Sequence, residues 1–341
     1  MTENGMKLRN WVIEKIKNEY PEDIDLLIAH HSHEVGGDEH GVVFDYYVPA
    51  TERGNEMSRT FIIDKVGYDL YPRSWERLAG NTECNNDGEF TLYCGEIVYA
   101  RNEQAAERFA ALQQKLKANL ADAVFCYRKA LEQLEMAMGI YSTLAFEDKL
   151  AKVRLGAGYI LDCVTKSVAF LNNRLAVVYA EDIYAMGSLP ENFNQYRMTI
   201  MEAKTADEIK HMTHLLLCSV RNYAKVHQPK QEMPQALPDY RMLAAWYQEL
   251  SLTWRRIGYF CAQGDASKAY YDACYLQGEY NAIAEEFGLR EWDLLGCYDA
   301  KDLSVLGHCA KEGEAYLLSV LEREEVKLDY YDSLEQFLAE N

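Results

Sequence analysis

Two single acidic residues, Asp45 and Asp69, interrupt apolar stretches that have the composition of β-strands. Asp45 stands in the run 42–48, and Asp69 stands within residues 59–71. An acid that faces a protein core is costly unless it is paired or binds a metal, so carboxylates in such strands favour a site face. The pattern by itself leaves two interpretations open: Asp45 and Asp69 share a site on a sheet, or both carboxylates point to solvent.

A polar loop between the apolar runs 24–29 and 42–48 holds four of the chain's eight histidines. Its titratable side chains are His30, His31, His33, Glu34, Asp38, Glu39 and His40. Imidazoles and carboxylates in a cluster can bind a transition metal. Neither a CxxC nor an HExxH pattern accompanies them, so a solvated loop is the simpler interpretation. The sequence leaves both open.

The elements that must position these residues form a small α/β region that ends near residue 100. Apolar spacing predicts a helix at 6–19 and strands at 24–29, 42–48, 59–71 (with a bend near Gly67) and 96–99. Ser74 is the expected N-cap of a further helix. After Arg101 strand signals vanish, and helices are predicted at about 103–138, 142–180, 205–227, 238–262, 266–287, 300–323 and 329–339.

These patterns predict an α+β protein with a small mixed sheet at the N-terminal end and an all-α helical bundle after it. The expected domains are residues 1–115 for the α/β part, 116–228 for a helical bundle, and 229–341 for a second helical segment packed on that bundle. The stretch 228–238 contains three of the seven prolines and is the best linker candidate.

Composition limits the partners. The 54 acidic and 35 basic side chains give a net charge of −19, which disfavours a nucleic-acid partner and an anionic membrane surface. No segment approaches the roughly 20 apolar residues that span a bilayer. The nine cysteines lack CxxC spacing, as expected of reduced thiols. The sequence therefore predicts a cytoplasmic protein with a small-molecule or nucleotide ligand, and it leaves the oligomeric state open.

The first 115 residues resemble the nucleotidyltransferase fold of the DNA polymerase β superfamily, in the branch of antibiotic adenylyltransferases. In that family an apolar strand ends in Gly-Ser, the next strand carries Asp-x-Asp or Asp-x-Glu, and a later strand carries a third acid. Here His31-Ser32 follows the first strand, Val43-Phe44-Asp45 opens the second, and Asp69 stands at the third position. The segments PRSWERL (72–78) and GEIVYARNEQ (95–104) also look like this family.

The resemblance implies that Asp45 and Asp69 are catalytic residues that hold Mg²⁺, and that His31 and Ser32 bind the nucleotide. It also implies a nucleoside triphosphate as substrate and a small hydroxyl-bearing acceptor. Two residues depart from the pattern, since His31 replaces Gly and Val43 replaces the first acid. A valine cannot bind a hard cation, so the metal site lacks one ligand. An active transferase and a degenerate module that binds a ligand or a partner both stay open.

A third reading concerns the helical part. Arg221 and His227 resemble the arginine–histidine motif of HEPN-type helical domains, some of which are ribonucleases. The acidic chain suits RNA poorly, and a cationic helix C-terminus before Pro229 explains the two residues as well. His211 and His214 share a helix face and have no acid at matching spacing.

Overall fold

The computed structural model describes residues 3–30, 44–63, 65–85, 88–176, 187–229 and 238–340. The chain divides into two compact units, Met1–Gln231 and Glu232–Asn341. His31 and Ser32 of the predicted loop, and Val43 of the predicted strand 42–48, lie outside the described residues. The domain boundaries at 115/116 and 228/229 stay predictions.

Within the described part of the first unit, five strands form a mixed sheet in the order β3-β4-β2-β1-β5. The strands are β1 (Ile24–His30), β2 (Tyr46–Pro49), β3 (Arg59–Ile63), β4 (Val66–Pro72) and β5 (Gly95–Ala100). β1 runs antiparallel to β2 and β5, β2 runs parallel to β4, and β3 and β4 are antiparallel. With the helices that follow, this sheet confirms the predicted α+β class.

Both faces of the sheet are covered, which explains why β1 reads as an almost continuous apolar run. Helix α1 (Glu3–Glu19) packs Val12 and Ile16 against Leu27 on one face. On the other face, Leu26 and Tyr46 pack against helices α2 (Trp75–Thr82), α3 (Glu89–Tyr93) and α4 (Glu103–Ala121).

The prediction of one bent strand at 59–71 is wrong, because β3 and β4 form an antiparallel hairpin. Arg59 pairs with Leu70, and Ile63 pairs with Val66. Lys65 in the turn has a φ of 70°, the left-handed conformation that tight hairpin turns use. Lysine is a weak turn signal, so the apolar pattern appeared continuous. Asp45 also lies just before β2, not inside a strand.

Helices make up the rest of the first unit. After α4 come α5 (Ala123–Leu144), α6 (Leu150–Leu171), α7 (Phe193–Glu202) and α8 (Ala206–Val226). The single helix predicted at 103–138 is wrong, since Asp122 ends α4 and caps α5 by accepting a hydrogen bond from the backbone N–H of Val124 at 2.8 Å. The predicted cap at Ser74 is confirmed, because its hydroxyl accepts a hydrogen bond from the Arg77 N–H.

Among the described helices, none has the length and apolar character that crossing a membrane requires.

The second unit consists of α9 (Tyr240–Gln263), α10 (Ala266–Ala284), α11 (Ser304–Arg323) and α12 (Leu334–Glu340) within the part of the chain that the structure describes. Its core contains Trp254 and Ile257 of α9, Leu276 of α10 and Leu306 of α11. Gly264 ends α9 in the left-handed conformation, so α10 starts directly after it.

Candidate functional site

Asp45 stands beside the end of β1. Its backbone N–H donates a hydrogen bond to the carbonyl of Ile28 at 2.8 Å, and Ile28 pairs with Tyr46 in the sheet. Since β1 ends at His30, Asp45 lies near the C-terminal end of that strand. The side chain of Asp45 is half-buried. The sheet therefore places this acid beside the C-terminal end of β1.

Asp69 lies on the neighbouring strand β4. The parallel register pairs Tyr46 with Tyr71, so Asp69 is level with Phe44, one residue before Asp45. Side chains alternate along a strand, which puts Asp69 and Tyr71 on the same face. Asp69 is exposed, and its Oδ1 accepts a hydrogen bond from Thr60 on β3 at 3.0 Å. Asp45, just before β2, and Asp69, on the adjacent strand β4, thus lie at nearly one level, with Asp69 held toward the outer strand β3.

A buried guanidinium lies on the face that carries Tyr46 and Tyr71. Nη2 of Arg73 donates to the Tyr71 hydroxyl at 2.6 Å, and Nη1 donates to Oγ1 of Thr91 at 2.6 Å. The guanidinium carbon lies 4.5 Å from the ring centre of Tyr46. These contacts fix a positive charge at the end of β4.

Two phenols, those of Tyr46 and Tyr71, interact electrostatically with both this guanidinium and Asp45. Burial raises the pKa of Tyr46 well above its usual range; Arg73 lowers it and Asp45 raises it. Burial also raises the pKa of Tyr71, and the Asp45 carboxylate raises it further. Both hydroxyls therefore stay protonated at neutral pH and can act as hydrogen-bond donors.

Several buried polar atoms beside Arg73 have no hydrogen-bond partner among the described residues. They are the hydroxyl of Tyr46, Nε of Arg73, and both amide atoms of Asn81. The backbone of Gly88 packs closely against two of these residues, because a Cβ at this position would lie 2.6 Å from Nη1 of Arg73 and 2.8 Å from Nδ2 of Asn81. A buried polar group without a partner costs about 1–3 kcal/mol. The cluster therefore favours a bound polar molecule, either water or part of a ligand.

Asp25 on β1 holds the start of α2 and the end of β5 against each other. Its Oδ2 accepts a hydrogen bond from Nε1 of Trp75 at 2.8 Å, and its Oδ1 pairs with Nη2 of Arg101 at 2.8 Å. Trp75 starts α2, and Arg101 follows β5. One buried carboxylate on β1 thus ties down both segments whose sequences look like the nucleotidyltransferase family.

The described side chains do not by themselves fit a two-metal site. Among them, no group of three or more His, Cys, Asp or Glu side chains is placed to hold a metal ion. A two-metal site uses its carboxylates to clamp both cations. Asp45 and Asp69 are the two predicted metal ligands that the structure describes. Arg73 lowers the pKa of the same two tyrosines, Tyr46 and Tyr71, whose pKa Asp45 raises.

The other predicted site residues fall into two groups. His31 and Ser32 lie outside the described residues, as do His33 and His40 of the predicted histidine loop, whereas His30 ends β1. His227 caps the end of α8, where Nδ1 lies 2.8 Å from the Tyr223 carbonyl and its ring is 4.0 Å from the Tyr223 ring. Arg221 is exposed on α8. The helix-end role therefore accounts for His227.

Sequence reasoning missed Tyr46, Tyr71, Arg73 and Asn81 as site residues. Arg73, in the segment PRSWERL, directly follows the strand that carries Asp69. An arginine at the end of an acid-bearing strand is the signal that could have identified the cluster.

No protein-family model matches the chain, and no curated protein matches it either. Among solved structures, the chain is similar to a nucleotidyltransferase-like protein from Exiguobacterium sibiricum. That match has a TM-score of 0.37 and 11% identity, and it covers 65% of this chain and 75% of that chain. The strands and helices of the chain themselves show the fold, which is an α+β protein with a mixed five-stranded sheet within the described residues.

Proposed function

We propose that the protein is a catalytically degenerate, nucleotidyltransferase-like protein whose sheet face binds a small phosphate-bearing ligand, such as a nucleotide, without Mg²⁺-dependent transfer. The observation that carries this proposal is the fixed guanidinium of Arg73, which contacts Tyr46 and Tyr71 and supplies on this sheet face the kind of positive charge that the family pattern assigns to metal ions. Val43 in place of the first acid supports the same conclusion.

The donors near Arg73 suit a phosphate. Guanidinium and hydroxyl groups donate hydrogen bonds to phosphate oxygens, and bonds to a charged acceptor are about twice as strong as neutral ones. Tyr46 and Arg73 each have one buried donor atom without a partner among the described residues. In a chain with a net charge of −19, such a local positive charge is what attracts an anion.

A second candidate is nucleotidyl transfer from a nucleoside triphosphate to a small hydroxyl-bearing acceptor. It is favoured by the position of Asp45, just before β2, at nearly the same level as Asp69 on the adjacent strand β4. In that case both carboxylates would hold Mg²⁺, which would supply charge neutralisation at the phosphates, and Ser32 would contact the triphosphate.

Titration calorimetry with ATP separates the two candidates. We expect ATP to bind in EDTA about as tightly as in MgCl₂, and Asp45→Asn to leave that affinity unchanged or to raise it, since one negative charge is removed. Glu56→Gln is the matched control, because it removes an exposed charge from the turn Glu52–Met57. ATP binding that needs Mg²⁺ and is lost in Asp45→Asn would support transfer, and no binding in either buffer would contradict both candidates.

A further inference from the structure

A groove between α9 and α11 of the second unit contains two adjoining cavities. Their volumes are about 510 and 250 Å³. Gly258, Gly307 and Lys311 line both, so the cavities are continuous along the groove. Small-molecule sites in proteins typically have volumes of about 300–1,000 Å³.

The groove exists because small residues face each other across the two helices. A Cβ at Gly307 would touch the Cβ of Cys261 at 3.4 Å, so α11 approaches α9 closely there. Gly258 has open space where a side chain would be, and Ala262 and Ala310 line the groove on either side. The floor is therefore backbone and small side chains, which leaves room for a ligand.

Three cations line the groove, and none of them has a side-chain hydrogen bond or ion pair within residues 238–340. They are Arg255, Lys301 and Lys311. The adjacent Arg256 differs, because its Nε donates to Asp272 at 2.9 Å. Unpaired cations concentrated in one groove of so acidic a chain make a local site for an anion.

The acids that line the groove are already engaged. Glu314 accepts a hydrogen bond from the Tyr247 hydroxyl at 2.9 Å. Asp302 accepts one from the backbone N–H of Ser304 at 3.0 Å. Their negative charges are thus partly satisfied within the protein, and the three cations remain available.

Trp254 supplies an independent sign of a ligand. It is buried, it lines the smaller cavity, and its Nε1 has no acceptor among the described residues. Its ring stacks on Trp292 at 5.2 Å, which fixes its orientation. A buried donor of this kind is costly unless something accepts its hydrogen bond, and an oxygen of a bound anion would do so.

We propose that this groove binds a small organic anion. Its phosphate or carboxylate group accepts a hydrogen bond from Nε1 of Trp254 and lies between Arg255 and Lys311. The rest of the molecule lies over Gly258 and Gly307, toward Lys301. This site belongs to the second unit and is independent of the nucleotide site proposed on the sheet.

NMR of the full chain tests the proposal, with pyrophosphate and citrate as probes. The chain has five tryptophans, and the Trp254→Phe variant assigns the indole N–H signal of Trp254. We expect that signal to shift saturably with at least one probe. Lys311→Gln should weaken binding roughly tenfold, as expected for the loss of a charged hydrogen bond. Lys327→Gln, which removes an exposed charge outside the groove, should leave it unchanged.

Either probe alone supports the proposal, and the preference between them identifies phosphate or carboxylate as the bound group. Arg255→Gln serves as a second variant with the same expected direction. The proposal is overturned if the Trp254 signal is unmoved by both probes. It is also overturned if Lys311→Gln and Lys327→Gln weaken binding equally, since that would indicate general attraction to positive charge.

Discussion

Nη2 of Arg73 donates a hydrogen bond of 2.6 Å to the hydroxyl of Tyr71, the same tyrosine whose pKa is raised by burial and by Asp45. A second bond from Arg73 to Thr91 holds the guanidinium in place. Coulomb interactions strengthen where water is excluded. This fixed charge therefore repels a divalent cation and attracts a phosphate, which is the physical basis for proposing a ligand-binding site without metal-dependent transfer.

Asp25 should contribute strongly to the stability of the first unit. We expect Asp25→Ala to lower the free energy of unfolding by roughly 3 kcal/mol, because it leaves Arg101 without its buried partner and Trp75 without its acceptor. Glu22→Ala is the matched control, since that exposed carboxylate lies 3.4 Å from the same arginine and should contribute less than about 1 kcal/mol. Urea unfolding measures both, and equal losses would contradict the role given to Asp25.

Tyr46→Phe should have different effects at neutral and at alkaline pH. The hydroxyl has no partner among the described residues, so its removal should change stability by less than about 1 kcal/mol near neutrality. If the hydroxyl binds the ligand, the same variant weakens ATP binding. A loss of more than about 2 kcal/mol in the absence of ligand would show that the protein itself satisfies this hydroxyl.

The alkaline effect follows from linkage. The pKa of Tyr46 is raised above its unfolded value, so the folded state keeps a proton that the unfolded state releases above about pH 10. The stability that the protonated Tyr46 hydroxyl contributes to the folded state is therefore complete below the unfolded pKa, and it is lost as pH rises toward the folded pKa. We expect stability to fall above about pH 10, with a slope shallower by up to about 1.4 kcal/mol per pH unit in Tyr46→Phe. An unchanged slope would contradict the raised pKa.

Cys218 should be the fastest-reacting thiol. All nine cysteines lie in the described part of the chain, and Cys218 is the exposed one among them. Burial raises the pKa of Cys84 to about 12 and that of Cys126 to about 11, which keeps these two thiols protonated. Sγ of Cys218 lies 3.6 Å from Nε2 of His214, and its exposure lets a reagent reach it.

A thiol-specific disulfide reagent tests this prediction at about pH 8, where an ordinary thiol is partly ionised. We expect one fast equivalent per native chain, absent in Cys218→Ser and retained in Cys274→Ser. A fast thiol that survives Cys218→Ser would contradict the prediction.

The sequence predicted those helices and strands that depend on apolar spacing and capping residues within the element itself. Helix α8, predicted at 205–227, spans Ala206–Val226 because its apolar spacing and its Thr205 cap agree. The hairpin at 59–72 was missed because its turn contains a lysine. The break at Asp122 was missed because the residues around it, ANLADAVFCY (118–127), are mostly apolar and favour a continuous helix, so one aspartate gives no distinct signal. The cluster at Arg73 and Asn81 depends on packing between α2, α3 and β4, which no local pattern records.

Manganese binding in the presence of ATP, counted by electron paramagnetic resonance, tests the central claim most directly. Mn²⁺ takes the same oxygen ligands as Mg²⁺ and reports its bound state. The account predicts that the native protein adds no bound Mn²⁺ beyond that carried by ATP, and that Val43→Asp gains protein-bound Mn²⁺. Two Mn²⁺ ions bound by the native protein with ATP, and lost in Asp45→Asn, would contradict it.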